Sequence, residues 1–417
     1  MQREDSSLQG GPDRLVIGLV SGGHFLAHFY ALAFPPLFPL LIDEFALSNT
    51  ELGLLMSVMA LSTFILQIPV GVLVDRVGAK RVFIVGLVLV GGGTMLAGLA
   101  GSYLYLLAAV FVVGIGQSAF HPADFALLDA ATSGAAEGKS FAFHTFSGYT
   151  GFAVAPFVVG GLGVTLGWQP ALLIVGAVGV VYALVSQLSM RPLYRLRMAG
   201  AKAEQESSGP TESRFAAVTK LPILLLFAFF ITVTMANKGV HTFTGVFLLS
   251  EFSLDEFVGN AALTSYFTLT AIGVLVGGAL ADRYRATTVI ATVLVLAGLS
   301  TFATVAGVLP MTAEVAVALF AVVGLFYGLA LPSRDRLINS FSTDSTTGQS
   351  FGFVYTGLPL GAMVSPVVLG VVIDFWDAKL AFAAIGALFL LSSAIGVISG
   401  MKYVTRSTSR AAVKNTE

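Results

Sequence analysis

The chain of 417 residues contains no cysteine, which excludes disulfide scaffolding, thiolate catalysis and cysteine metal sites. Charge is almost as scarce. Charged residues make up 11% of the sequence, against roughly 25% in an ordinary soluble domain. Hydrophobic residues make up 56%, and the mean hydropathy is +0.88. These values describe a membrane protein. The net charge of −1 favours no polyanionic partner, so a nucleic-acid role is not expected. No nucleophile elbow or phosphate loop is present, and Gly114, Gly116 and Ala119 mimic only part of a dinucleotide fingerprint, with no strand before them. An enzyme, a cofactor and a resident metal are therefore not expected. Arg3, Glu4, Asp5, Asp13 and Arg14 precede a long apolar run without a small-residue cleavage site, which reads as a first membrane span and not a signal peptide.

About 20 apolar residues are needed for a helix to cross the hydrocarbon core. Twelve such runs occur, near 15–41, 51–74, 82–100, 103–128, 139–165, 169–189, 221–249, 258–281, 287–307, 313–337, 349–373 and 379–400. They are continuous and lack two-residue alternation, so an all-α membrane protein is expected and a barrel is not. With both termini cytoplasmic, nearly all Lys and Arg residues fall on the inner side, Lys379 being the outer exception and Lys238 lying within a span. The one long polar connection, 191–220, reads as a cytoplasmic linker between an N-terminal six-helix bundle (1–190) and a C-terminal bundle with its tail (221–417).

The two halves repeat one another. Gly71 to Arg81 reads GVLVDRVGAKR, and a weaker copy, GALADRYR, runs from Gly278 to Arg285. Gly138, Ser140, Phe141, Phe143, Pro156 and Gly160 recur 210 residues later, around Gly348 to Gly370. Twelve spans in two related halves, with Gly71, Asp75, Arg76, Gly78, Lys80 and Arg81 after the second span, resemble the major facilitator superfamily over essentially the whole chain. The resemblance implies a monomeric secondary transporter that works by alternating access about a midplane site lined by spans 1, 4, 7 and 10. The charged hairpin is expected to form part of a cytoplasmic gate. Asp75 can sit against the positive N-terminus of span 11 near Gly348, and Asp282, followed by Arg283, against that of span 5 near Gly138. The plainer alternative is that Arg76, Lys80 and Arg81 only anchor a tight loop.

Ionisable residues inside spans are functional candidates because burying charge in lipid is costly. All five histidines are such residues. His24 and His28 share a face of span 1; Gln117, His121 and Asp124 form a stripe on span 4; His144 lies on span 5; Lys238 and His241 lie three apart on span 7. Arg334, Asp335 and Arg336 lie near the inner end of span 10, as part of a solute or proton pathway, a gate salt bridge or a boundary anchor. Histidine titrates near neutral pH, so proton coupling is chemically available. The spacing points to His121 with Asp124 as the proton-linked pair and to His28 and Lys238 as solute contacts. Asp124 pairing with Arg334 is the alternative. A lone His144 is equally well read as a packing residue.

Phe120, His121 and Pro122, with Gly151, Phe152, Ala153 and Pro156, are similar to the fosmidomycin-resistance-like branch of bacterial exporters, although here Ala123 follows the proline and the acid is Asp124. That resemblance implies proton-coupled efflux of a small organic solute. An organic-anion symporter using Lys238 and Arg334 is the alternative, and a receptor or sensor without turnover is a third reading. The spacing of His24 and His28 leaves a metal ion or chelate open as cargo.

Overall fold

The computed structural model describes residues 13–132, 135–190, 221–341 and 353–414. Among the described residues, twelve helical segments are long and apolar enough to cross a membrane, matching the twelve runs. The expected linker 191–220 and the start of span 11 near Gly348 lie outside the described residues. In chain order the α-helices are α1 (Arg14–Ala31), α2 (Phe38–Phe45), α3 (Asn49–Val77), α4 (Ala79–Gly98), α5 (Tyr103–Gln117), α6 (Phe120–Ala131), α7 (Ala135–Leu166) and α8 (Trp168–Ser189). They continue as α9 (Leu221–Phe252), α10 (Glu256–Arg283), α11 (Ala286–Val305), α12 (Ala313–Phe341), α13 (Gly357–Phe375) and α14 (Ala378–Lys414).

Among the described residues, the first and fourth spans are broken beside prolines. Pro35 and Pro36 tighten the first span into a short 3-10 turn, Pro35–Leu37, between α1 and α2. Pro122 lies in the first turn of α6, where its missing N–H costs nothing, and the chain turns at Ser118 and Ala119 to restart the fourth span. A break of this kind re-aims the side chains that follow it, here His121 and Asp124.

The chain divides into two compact units. The first comprises Met1–Ala31, Ser62–Phe152 and Gln169–Gly209; the second comprises Leu32–Leu61, Ala153–Trp168 and Pro210–Glu417. Two pieces of the N-terminal half, 32–61 and 153–168, thus belong with the second unit.

Small residues set the helix spacing within each unit. In the second, Gly273 and Gly277 of α10 and Gly324 and Gly328 of α12 bring the two backbones so close that a Cβ on Gly273 would lie 2.6 Å from the Leu325 carbonyl. Ser265 and Thr270 of α10 donate to the carbonyls of Val317 and Gly324 at 2.9 and 3.1 Å. Hydrocarbon supplies no hydrophobic force between helices, so close backbone contact and these hydroxyl bonds hold the pair together.

In the first unit the motif hairpin is two helices joined by one residue. Gly78 has φ +93° and ψ 140°, a conformation that only glycine adopts without strain, and its N–H closes α3 on the Val74 carbonyl at 2.9 Å. Lys80 reaches the far end of α8 and donates to the carbonyls of Gln187, at 3.0 Å, and Met190. A cation there satisfies orphan carbonyls at a helix C-terminus. Arg336 of α12 does the same in the second unit, donating to the Ala281 carbonyl at the end of α10 and approaching Asp282 to 3.3 Å. Asp75, Arg76, Arg81 and Arg283 are exposed, and Gly71 has open space beside it.

Candidate transport site

Four of the five histidines cluster around His24, and two of them, His24 and His144, meet at Asp124. His24 lies on α1, Asp124 on α6 and His144 on α7. Nδ1 of His24 is 3.1 Å from Oδ2 of Asp124, and Nε2 of His144 is 3.7 Å from the same oxygen. The His144 ring stacks on His24 with centroids 3.8 Å apart. His28, one turn along α1, lies 4.4 Å from His24, and His121 closes the group at 5.7 Å. All of these residues belong to the first unit.

The carboxylate is fully buried, and His24 and His144 are 5% and 1% exposed. Among the described residues, Oδ1 of Asp124 and both ring nitrogens of His144 have no hydrogen-bond partner. Unsatisfied polar atoms of this kind are rare in a protein interior and carry a desolvation cost. The ligand atoms of His24, Asp124 and His144 lie within 4.8 Å of one another, close enough for a small cation to draw them together. His121 is exposed, as is Phe125 one turn on, so α6 buries its carboxylate and presents a histidine and an aromatic ring on its other face.

The surroundings fix these rings. A Cβ on Gly148 would lie 2.7 Å from Cδ2 of His24 and 3.1 Å from Cε1 of His28, so only a residue without a side chain lets α7 approach α1 here. Gln117 donates to the Ala27 carbonyl at 2.7 Å, Tyr182 to that of Leu19 at 2.9 Å, and Ser147 to that of Ser21 at 2.7 Å. These bonds pin α1 from three sides with side chains from α5, α8 and α7. Phe152 covers His28 at 4.3 Å.

The remaining candidates fall in the second unit. His241 is buried against Phe267, 4.5 Å away, and Asn237 donates to the Tyr266 hydroxyl at 2.7 Å. Lys238 is half-buried on the same helix. Arg334 donates through Nε and Nη2 to one oxygen of Asp335, both at 2.8 Å, and lies 5.1 Å from the centre of the Phe230 ring. Tyr355 donates to the same Asp335 oxygen at 3.2 Å.

Sequence reasoning picked out His24, His121, His144 and Asp124 individually but paired the carboxylate with His121, its neighbour on the helix. The short contacts are with His24 and His144. Gly148 was missed. Its signal was the spacing of Gly148 and Gly151, three apart on α7, where Gly151 takes the same close position against the Phe25 carbonyl.

The sequence matches the Major Facilitator Superfamily over residues 20–259 and 227–416. The chain belongs to the Major Facilitator Superfamily. It is a multi-pass membrane transporter of a solute, in a family of carriers and not of enzymes. It is similar to the probable sulfoacetate transporter SauU of Cupriavidus necator, 29% identical over 86% of this chain and 87% of that one. It is also similar to the fosmidomycin resistance protein of Escherichia coli, 24% identical over 90% of each chain. Among solved structures, a bacterial homolog of the human lysosomal transporter Spinster, inward-facing and occupied, superposes with a TM-score of 0.73 at 15% identity. It covers 94% of this chain and 96% of that chain, a likeness of fold.

Proposed function

We propose that the chain carries a small organic anion across the cell membrane together with protons, with Asp124, His24 and His144 as the proton-carrying group. The observation that carries this reading is the buried carboxylate facing two imidazoles while one of its oxygens and both nitrogens of His144 are unsatisfied. A proton is the smallest cation that relieves such a cluster. His121, exposed beside it, connects the group to its surroundings, and His28 supplies a donor to the solute. The anion class is supported by the names of two relatives, the sulfoacetate transporter and a probable L-galactonate transporter of Escherichia coli that is 22% identical over 41% of this chain. The distribution of Lys and Arg supports a cytoplasmic position for both termini.

The purified protein in liposomes, given an inward-acid or an outward-acid gradient, tests the reading with labelled sulfoacetate. Accumulation driven by one gradient and not by its reversal supports proton coupling; transport indifferent to both would end it. A second reading, export, is favoured by the similarity to the fosmidomycin resistance protein over nine-tenths of both chains. The same experiment separates the two by the sign of the gradient that drives accumulation.

A further inference from the structure

The first turn of α3 is held by a carboxylate from a helix more than 300 residues away. Oδ1 of Asp374, at the end of α13, accepts from the backbone N–H and the side-chain amide of Asn49, both at 2.9 Å. Oδ2 accepts from the N–H of Thr50 at 2.8 Å and from its hydroxyl at 2.6 Å. Four donors thus converge on one side chain. Below this point the two helices touch backbone to backbone. A Cβ on Gly370 would lie 2.7 Å from the Asn49 carbonyl carbon, and one on Gly53 would lie 2.5 Å from that of Pro366. Ser57 donates to the Met363 carbonyl at 2.5 Å. All these residues belong to the second unit.

Helix termination does not require this contact. α3 already has its own cap: the Ser48 hydroxyl accepts from the Glu51 N–H at 3.2 Å, and the Glu51 carboxylate accepts from the Ser48 N–H at 2.8 Å. Fold symmetry does not require it either. The 210-residue offset between the halves pairs Asp374 with Val164, which has no carboxylate, and α10 is capped by its own Asp255. The Asp374 contact is also exposed, whereas a permanent joint between spans is ordinarily buried. A carboxylate on the positive end of a helix dipole, in water, makes a contact strong enough to bias two states and weak enough to break.

We propose that Asp374 is a positioning residue of the transport cycle: it latches the start of α3 to the end of α13, on the membrane face opposite Gly78, and must release when those helix ends part. The inference rests on the chain being a carrier with more than one conformation. Its test uses no solute, so it fails or succeeds independently of the anion and proton assignments.

Because the sequence has no cysteine, Ser57→Cys introduces a single thiol into the seam, at a position only 5% exposed. N-ethylmaleimide labelling of the detergent-purified full chain then reports how often the seam opens. With Asp374→Ala, the labelling rate is expected to rise about threefold or more, as a population shift requires. Asp374→Asn, which keeps the shape and loses the charge, should raise it less, and it carries the same test if the alanine variant elutes as aggregate. An unchanged rate in both variants overturns the proposal. So does an equal rise with Glu51→Ala, which removes the helix's own cap and would mean that the end merely frays.

Discussion

Nδ1 of His24 and Oδ2 of Asp124 lie 3.1 Å apart, although a hundred residues of chain separate them. Because both are buried, neither can exchange its partner for water, and the protonation of one is tied to that of the other. Asp124→Asn keeps the volume and removes the titrating group. Accumulation driven by a pH gradient is expected to fall roughly tenfold or more, the consequence of deleting one member of a buried network, while exchange of labelled for unlabelled solute continues. Gradient-driven accumulation at the original rate would remove Asp124 from the coupling step.

Gly148 separates a packing effect from a helix-propensity effect. Glycine to alanine in an open helix position is worth up to about 1 kcal/mol in favour of alanine. At Gly148 the added methyl would press into the His24 ring, and overpacking of that kind costs about 1–3 kcal/mol. Gly148→Ala is therefore expected to lower the melting temperature in detergent and to impair transport. Gly92→Ala, where nothing lies within 4 Å, should leave the melting temperature unchanged or raise it. A Gly148→Ala protein as stable as its parent would mean that the histidine rings shift freely and that their arrangement is not fixed by α7.

The twelve helices were legible in the sequence because a bilayer imposes one length and one composition on every span. The site was legible only in part. Charge inside an apolar run marked His24, Asp124 and His144 one at a time, but helical spacing sees only neighbours on the same helix, so it joined Asp124 to His121. The pairing of α1 with α6 and α7 depends on Gly148, Gly151 and the break before Pro122, and these act between helices. The contact of Asp374 with Asn49 was invisible for the same reason. Its residues lie at helix ends, where Asp, Asn and Thr are ordinary capping residues.

The two glycines of the motif hairpin differ in what they do for the fold. Gly78 has φ +93° with open space around it, so an alanine there meets no neighbour and is strained by its backbone alone, at a cost of about 1–3 kcal/mol. Gly71 lies within α3, also in open space. Gly78→Ala is expected to lower the melting temperature, and Gly71→Ala to leave it unchanged or raise it slightly. Equal losses at both positions would show that the hairpin is limited by contacts and not by the turn.

The absence of cysteine also makes topology directly measurable. Lys379 lies in the first turn of α14 and approaches Glu251 to 3.3 Å, and its side chain is 46% exposed; Lys80 lies in the first turn of α4, beside the motif turn. By chain order, nearly all other Lys and Arg residues fall in connections on the same side as Lys80, so the positive-inside rule predicts that this end is cytoplasmic. In intact cells, a membrane-impermeant maleimide is expected to label Lys379→Cys at once and Lys80→Cys only after permeabilisation. The reverse pattern would invert the molecule. It would carry Asp374 and its latch to the cytoplasmic face and put the motif hairpin outside, against the charge asymmetry of the whole chain.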